Sequence, residues 1–484
     1  MSYSIRHLAP ESVFCQELNL DIFTHIISPT MIGDVLTDTT SWEQRERKLN
    51  MQVITSLVIA MGLLPTLSIP HVLQKMSQGL RYVWPDPDLV VPGASALSQR
   101  RRHLGVRPLR ELFERVCQPQ ATPDMPFAFA FGLRLMAIDG TTENVADTFV
   151  NDLSFGRPHS QHGAGSFPQV RGVYLQECGT HQIVDAAFGA YGRSEQALAY
   201  QLLRLLKPGM LLLLDRGFFS ARFLRLLRFL RVHVVARLAS NVVPTYLRQL
   251  KDGSYLAYLY PEDTSGHQTG TPMLVRILEY TVDDPGRVGH GEVHRLVTTL
   301  LNPRTVPAEQ VIQTYHERWE LELTIDEIDT HQRLCQRTLR SQDPEGVLQE
   351  LYGILLGHYA VRSLMTTSAH AEHLDCDRLS FTHAITVITH AISDVQQTQV
   401  SQQDALIERV LRDLRQGLLP QRRLRSNPRV IKSRRAKFPA RTQKHRMVPK
   451  LEKPFSEVIV LLTTSPRFGK PLPLKRIQKF VLLT

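Results

Sequence analysis

The chain has 484 residues, 43% of them hydrophobic, so it is long enough for several packed domains and is not globally disordered. Its formal net charge of +11 and pI of about 9.5 favour a polyanionic partner. Five scattered cysteines without a CxxC pair argue against a disulfide framework or a zinc site. No secretion signal or membrane span is predicted, so we expect a cytoplasmic protein that does not bind membranes.

The N-terminal region, residues 1–125, is predicted to be a helical domain that binds DNA. Proline and capping residues indicate successive helices, the last of them over 95–105. This last helix carries a cluster of three arginines, Arg100, Arg101 and Arg102. A helix-turn-helix-like reader would turn such arginines toward DNA, whereas a helical bundle with a basic face is an equally good interpretation.

From residue 127 onward, short apolar strands alternate with helices, which predicts an α/β fold with a mixed sheet. The apolar runs 133–138 and 210–214 are each followed directly by an aspartate, Asp139 and Asp215. In an α/β sheet, strand ends are where side chains reach the functional crevice. The alternative is that each aspartate caps a turn or the next helix.

The segment 315–331 contains no Gly or Pro and is predicted to form one helix. Tyr315, Arg318 and Glu322 then share a face, which can aim an acid into a charged site. A solvated acidic face is the alternative. We interpret 127–240 and 305–370 as two parts of one core, separated by a β-rich insertion over 241–304.

Asp139, Asp215 and Glu322 together form a carboxylate trio. Such a trio can hold two hard, oxygen-loving cations such as Mg²⁺. Two metals about 4 Å apart can activate a water or a 3′-hydroxyl and stabilise the leaving oxygen in phosphoryl transfer. The sequence therefore predicts a two-metal phosphoryl-transfer site.

The region 371–484 is predicted to be helical and to carry a basic arm over 421–446. The arm holds eleven of the 57 Lys and Arg residues and no Asp or Glu, which leaves 46 basic residues against 46 acids elsewhere. Its candidate DNA contacts are Arg422, Arg423, Arg425, Lys432, Arg434 and Arg435. Such an arm binds phosphates and weakens with salt, whereas a solvated tail without a partner is the alternative.

Several motifs resemble the insertion-sequence-4 family of DDE transposases. Its first acidic block resembles Asp139-Gly140-Thr141-Thr142, Asp147-Thr148 and Phe155-Gly156, and its second resembles Asp215-Arg216-Gly217-Phe218. Its third block is similar to Tyr315, Arg318 and Glu322 at the same spacing. Further matches are Trp319, Leu339-Arg340-Ser341, 95–105 and Leu112-Phe113-Glu114. The resemblance extends over about residues 20–445.

The resemblance implies an RNase H-like core split by a β insertion. It also implies Mg²⁺-dependent cutting of element ends and joining to target DNA, with Mn²⁺ able to substitute. Asp139, Asp215 and Glu322 would bind the metals, Arg318 would clamp a phosphate, and Tyr315 would contact the same strand. The implied partners are the element's terminal repeats and target DNA, bound by a homodimer in a synaptic complex on the bacterial nucleoid.

One position departs from the family pattern. Seven residues after the glutamate the family has a lysine that holds the DNA backbone, and this chain has Asp329. The lysine's task has moved to a neighbour such as Arg333 or His331, Asp329 faces away, the alignment is loose, or this copy is damaged. A metal-dependent nuclease and a catalytically dead DNA-binding relic therefore remain rival interpretations.

Overall fold

The structure is a computed structural model that describes ten stretches of the chain. These are residues 20–43, 49–83, 92–160, 163–239, 241–260, 270–284, 290–334, 338–397, 400–419 and 453–462. The predicted basic arm over 421–446 lies outside them.

The helices lie mainly toward the two ends of the described chain. They are α1 (Pro29–Asp38), α2 (Met51–Leu63), α3 (Ile69–Val83), α4 (Ala94–Leu104), α5 (Arg107–Val116), α6 (Phe149–Phe155), α7 (Glu195–Ala199), α8 (Ala221–Phe229), α9 (Ala308–His316), α10 (Trp319–Asp326), α11 (Pro344–His370), α12 (Phe381–Gln397), α13 (Val400–Leu414) and α14 (Phe455–Val458). A π-helical turn, Glu327–Gln332, follows α10 directly.

The strands lie mainly in the middle of the chain. They are β1 (Phe129–Ala130), β2 (Leu133–Asn144), β3 (His159–Ser160), β4 (Gly163–Ala164), β5 (Gln169–Glu177), β6 (Gln182–Ala190), β7 (Met210–Leu214), β8 (His233–Arg237), β9 (Thr245–Gln249), β10 (Tyr255–Leu259), β11 (Met273–Val282), β12 (His294–Thr298) and β13 (Ile459–Leu461).

The described residues divide into two compact units. The first unit takes its described residues from 1–128, 139–204 and 320–419, and the second takes them from 129–138, 205–319 and 420–484. Strand β2 belongs to the second unit as far as Ile138 and to the first from Asp139.

The core of the first unit is built around two buried helices, α2 and α11. Asn50 begins α2 by accepting a hydrogen bond from the Val53 amide at 2.9 Å, as an N-cap does. Asp343 caps α11 in the same way through the Gly346 amide at 2.8 Å. The two helices approach closely, because a Cβ on Gly353 would lie 2.5 Å from the Val58 carbonyl oxygen. In the same unit β5 and β6 form an antiparallel hairpin.

The second unit contains a mixed sheet with strand order β2–β7–β8–β12–β11–β10–β9. Strands β2, β7 and β8 are parallel, whereas the remaining pairs in this order are antiparallel. All five residues of β7, Met210–Leu214, are buried, as expected for a central parallel strand covered on both faces. Helix α8 connects β7 to β8.

The predicted fold class is confirmed: the chain is a mixed α/β protein with a large mixed sheet and helical flanks. Within the described residues, every helix is too short or too polar to cross a membrane.

Candidate active site

Asp139 follows the buried residues of β2. The four residues before it are fully buried, and Asp139 itself is half-buried. Its Oδ1 accepts a hydrogen bond from the Gly140 amide at 2.8 Å. A Cβ on Gly140 would lie 2.8 Å from the side chain of Glu195, which pairs with Arg171 at 2.9 Å. A larger residue after Asp139 would therefore displace the Glu195 side chain.

Asp215 follows the last residue of β7 in the second unit. It is half-buried, and its carbonyl oxygen accepts a hydrogen bond from the Phe218 amide at 3.1 Å, closing a turn. The turn ends the strand and leads to Ser220, whose hydroxyl caps α8 through the Phe223 amide at 3.2 Å. The carboxylate thus stands at the carboxyl edge of a parallel strand, where α/β proteins bind ligands.

Tyr315 and Arg318 belong to the same unit as Asp215. Tyr315 is buried near the end of α9, and Arg318 is half-buried just beyond it. Burial raises the pKa of the Tyr315 phenol, Arg318 lowers it, and Asp215 raises it. The phenol therefore lies within electrostatic range of both Asp215 and Arg318. These three predicted site residues therefore lie in one unit, with Tyr315 in electrostatic range of the other two.

Glu322 lies on α10 in the first unit and is half-buried. The prediction of a single helix over 315–331 is wrong. Helix α9 ends at His316, and α10 begins at Trp319. The Arg318 amide donates to the Tyr315 carbonyl at 3.2 Å, which is the tighter three-residue spacing of a 3-10 turn. Tyr315 and Glu322 therefore lie on different helices, and the residue spacing of a single α-helix does not apply between them.

Asp329 lies in the π-helical turn and faces a buried arginine. Its Oδ1 is 3.2 Å from Nη1 of Arg333, which also pairs with Glu143. Burial and Asp329 raise the pKa of Glu143 to about 7, although Arg333 opposes them. Arg333 is 5% exposed and is engaged by two carboxylates, so it is poorly placed to replace a DNA-binding lysine. His331 in turn lies 3.7 Å from Asp326.

The three arginines of α4 occupy different environments. Arg101 is buried and donates to Ser341 Oγ at 3.2 Å and to the Gly346 carbonyl at 3.1 Å. Arg100 is half-buried and donates to the Leu49 carbonyl at 2.7 Å. Arg102 is exposed. DNA contact by this cluster stays a prediction, and Arg102 is its most accessible member.

A buried ionic network in the first unit was not predicted. His181, Glu320 and Asp377 each offer a ligand atom, all within 4.8 Å of one another, and could hold a metal ion. His181 Nε2 lies 2.8 Å from Asp377 Oδ1. Burial and Arg362 lower the pKa of His181, but Asp377 and Glu327 outweigh them and raise it to about 10. At neutral pH the imidazolium is itself the cation of this site.

No local spacing in the sequence could have revealed this network. Metal-binding motifs are recognised by ligands a few residues apart, whereas His181, Glu320 and Asp377 come from three distant segments. Arg362 pairs with Glu327 in the same network, so two cations, His181 and Arg362, face three carboxylates. We interpret it as a structural ion-pair cluster.

Two family models match the chain. "Insertion element 4 transposase N-terminal" matches residues 17–114, and "Transposase DDE domain" matches residues 130–359. The chain is 29% identical over 442 residues to "Transposase InsG for insertion sequence element IS4" of Escherichia coli (strain K12), covering 87% of this chain and 94% of that protein. It is 28% identical over 127 residues to "Putative transposase InsZ" of the same organism, covering 26% and 42%.

A solved piggyBac transposase synaptic complex with hairpin DNA aligns over 85% of this chain and 87% of that chain. The TM-score of 0.38 and identity of 11% are too low to support an argument about this chain.

The match to the DDE-domain model identifies the chain as a DDE transposase, an enzyme that cleaves DNA and transfers its strands. The chain belongs to the insertion-sequence-4 family of these enzymes, which confirms the resemblance seen in the sequence. It is an insertion-sequence transposase that acts on DNA. Membership in this family implies dependence on a divalent metal.

Proposed function

We propose that the chain cuts the ends of its insertion sequence and joins them to target DNA by two-metal phosphoryl transfer. Asp139, Asp215 and Glu322 are the proposed metal ligands. The observation that carries this proposal is the grouping of Asp215, Tyr315 and Arg318 in one unit. Residues of the second and third family blocks, far apart in sequence, influence one another electrostatically there.

The donor chemistry of the three carboxylates fits Mg²⁺. All three are half-buried, so each is partly accessible to solvent. Carboxylate oxygens are the ligands preferred by hard cations such as Mg²⁺, and Mn²⁺ accepts the same donors. When bound, two such ions would lower the pKa of the attacking hydroxyl and stabilise the negative charge on the leaving oxygen.

Tyr315 and Arg318 are proposed to hold the DNA strand near Asp215. The planar guanidinium of Arg318 matches two phosphate oxygens with two parallel hydrogen bonds. Because burial raises the pKa of Tyr315, its phenol stays neutral and donates a hydrogen bond without adding negative charge next to a phosphate. Together they orient a phosphate without repelling it.

The remaining features of the proposal concern the assembly. We interpret the parallel strands β2, β7 and β8 as part of an RNase H-like core. The exposed Arg102 and the basic arm are proposed to bind DNA outside the catalytic site. Because two element ends must be cut together, the chain is proposed to act as a homodimer on bacterial nucleoid DNA.

Plasmid cleavage tests the proposed activity and site. A supercoiled plasmid carrying the DNA that flanks this gene is incubated with the chain and Mg²⁺, and cut and joined products are separated on a gel. Asp139→Asn, Asp215→Asn and Glu322→Gln should each abolish both products. The matched control is Asp326→Asn, which removes an exposed carboxylate from the same helix as Glu322 and should leave cleavage intact.

The rivals give different results in the same assay. A metal-dependent nuclease yields cut plasmid but no joined product. A catalytically dead relic binds the element ends without cutting them. Cleavage that survives Glu322→Gln contradicts the site assignment whatever the fold.

A further inference from the structure

Helix α8 presents a one-sided arginine face in the second unit. Arg222, Arg225, Arg228 and Phe229 are exposed, whereas Phe223, Leu224 and Leu227 are buried. At 100° per residue, the four exposed positions fall within an arc of about 120°. Arg231 follows the helix and is also exposed. We call Arg222, Arg225, Arg228 and Arg231 the α8 arginine face.

This face lies in a segment without acids. From Arg216 to Lys251 the sequence contains eight Lys or Arg residues and no Asp or Glu. Among the residues that the structure describes, no carboxylate forms an ion pair with Arg225, Arg228 or Arg231. Nη2 of Arg225 donates instead to the Thr271 carbonyl at 3.3 Å. The positive charges of Arg225, Arg228 and Arg231 are therefore not neutralised by carboxylates in the described part of the chain.

An ordinary solvated helix face looks different. Solvated faces usually mix both signs of charge, as α13 does with Glu408, Arg409, Arg412 and Asp413. The α8 arginine face carries one sign only, and every cation in it is arginine. Phe229 at its end is 84% exposed, which an isolated solvated surface does not require. Arginine is the cation best suited to bidentate binding of phosphates.

The direction of α8 fixes how its arginine face runs relative to the sheet. Because β7 and β8 are parallel, α8 must run back from the carboxyl edge of the sheet, where Asp215 stands, to the amino edge. The arginines from 222 to 228 span about 9 Å along the helix axis at 1.5 Å per residue. Phosphates of one DNA strand advance by about 3.4 Å each, so the span matches two to three of them.

We propose that the α8 arginine face binds the DNA backbone away from the reacting phosphate. This inference rests on the proposed function, because the DNA it binds is the substrate of that activity. The contact is to phosphates and not to base edges, so it adds affinity without sequence preference. Phe229 packs against the sugar edge or an unstacked base of the same strand.

The test compares two variants with the same loss of charge. Arg225, Arg228 and Arg231 are all replaced by Gln, which keeps good helix propensity. The control replaces Arg304, Arg409 and Arg412 by Gln, three exposed arginines elsewhere in the chain. Binding of an element-end duplex and of a random duplex is measured across a range of salt concentrations, and thermal unfolding verifies that both variants fold.

The α8 variant should bind both duplexes more weakly and by the same factor. Its slope of log affinity against log salt should be less steep by about 2–3, at about 0.9 for each phosphate that is no longer neutralised. The control variant should keep the wild-type slope. If the α8 variant has the same salt slope as the control variant, the inference is overturned. In that case the proposed function still stands as long as the wild-type chain cuts the plasmid. A wild-type chain that neither binds nor cuts DNA overturns both.

Discussion

At the scale of single residues, Asp329 is the position where the chain departs from its family. The structure shows that this carboxylate is part of a cluster with Glu143 and Arg333. Two carboxylates around one guanidinium carry a net negative charge unless one of them is protonated. Burial and Asp329 raise the pKa of Glu143 to about 7, so Glu143 is the carboxylate that takes up a proton as the pH falls below 7. The sequence showed that Asp329 departs from the family pattern. It could not predict that Glu143 lies in the same ion-pair cluster, since Glu143 is 186 positions away.

Glu143 makes stability depend on pH. Its folded pKa of about 7 exceeds the ordinary 4.5, so the folded chain binds more protons than the unfolded chain between these values. Stability is therefore fully present below about pH 4.5 and falls as the pH rises toward 7. Glu143→Gln removes this loss, so the variant should gain about 2–3 kcal/mol relative to wild type between pH 5 and pH 8.

Thermal unfolding of the wild type and of Glu143→Gln, each at pH 5 and at pH 8, measures this gain in stability. Glu345→Gln serves as the control, because Glu345 is exposed on α11 and its neutralisation should shift the melting temperature equally at both pH values. A constant difference between Glu143→Gln and wild type across this range would show that Glu143 has an ordinary pKa.

Asp329→Lys tests whether the departure from the family limits DNA binding. The new lysine adds a phosphate contact and removes a repulsive carboxylate, while Glu143 ionises beside Arg333 and offsets the added charge. The salt slope of DNA binding should steepen by about 0.9, and plasmid cleavage should become faster. Asp329→Asn, the control, removes the repulsion without adding a contact. If the lysine and asparagine variants cut and bind alike, the position does not contact DNA.

At the scale of elements, strands were predicted better than helix breaks. The apolar run 210–214 is β7, and 133–138 is the first half of β2, in which 135–138 are buried. Both were predicted because a buried strand has a composition that no surface element shares. The break between α9 and α10 has no Gly or Pro to signal it. Likewise, the burial of Arg101 depends on its tertiary partners Ser341 and Gly346, which local pattern cannot supply.

The packing of α2 against α11 depends on glycine. A Cβ on Gly353 would meet the backbone of Val58 at 2.5 Å, and backbone cannot move aside as a side chain can. Gly353→Ala should therefore destabilise the chain by about 1–3 kcal/mol, despite the better helix propensity of alanine. Gly357→Ala on the same helix is the control, since its Cβ would meet side chains and no backbone, Leu63 at 3.2 Å and Gln332 Nε2 at 3.5 Å.

Thermal unfolding separates the two glycine variants. The melting temperature should fall clearly for Gly353→Ala and change little for Gly357→Ala. Equal shifts would mean that the two helices separate readily and that the close approach does not determine stability.

At the scale of the whole molecule, two acid-free segments each carry eight or more Lys or Arg residues. The sequence predicted the arm at 421–446 because its eleven cations account for the whole net charge. The basic segment 216–251 was not predicted. Its eight cations are balanced by acids elsewhere, so they do not contribute to the net charge of the chain. Charge counted in windows along the chain finds both. Only the structure shows that α8 turns its cations to one side.

The basic arm and the α8 arginine face should contribute separately to DNA affinity. Replacing Arg422, Arg423 and Arg425 with Ala should weaken binding and lower the salt slope by about 0.9 for each phosphate that the arm no longer neutralises. Combining this variant with the α8 variant should lower the slope by the sum of the two separate changes, since independent phosphate-binding segments release independent counterions. Salt titrations of all three proteins measure these slopes. An arm variant with wild-type slope removes the arm from DNA binding, and a combined change smaller than the sum shows that the two segments compete for the same phosphates.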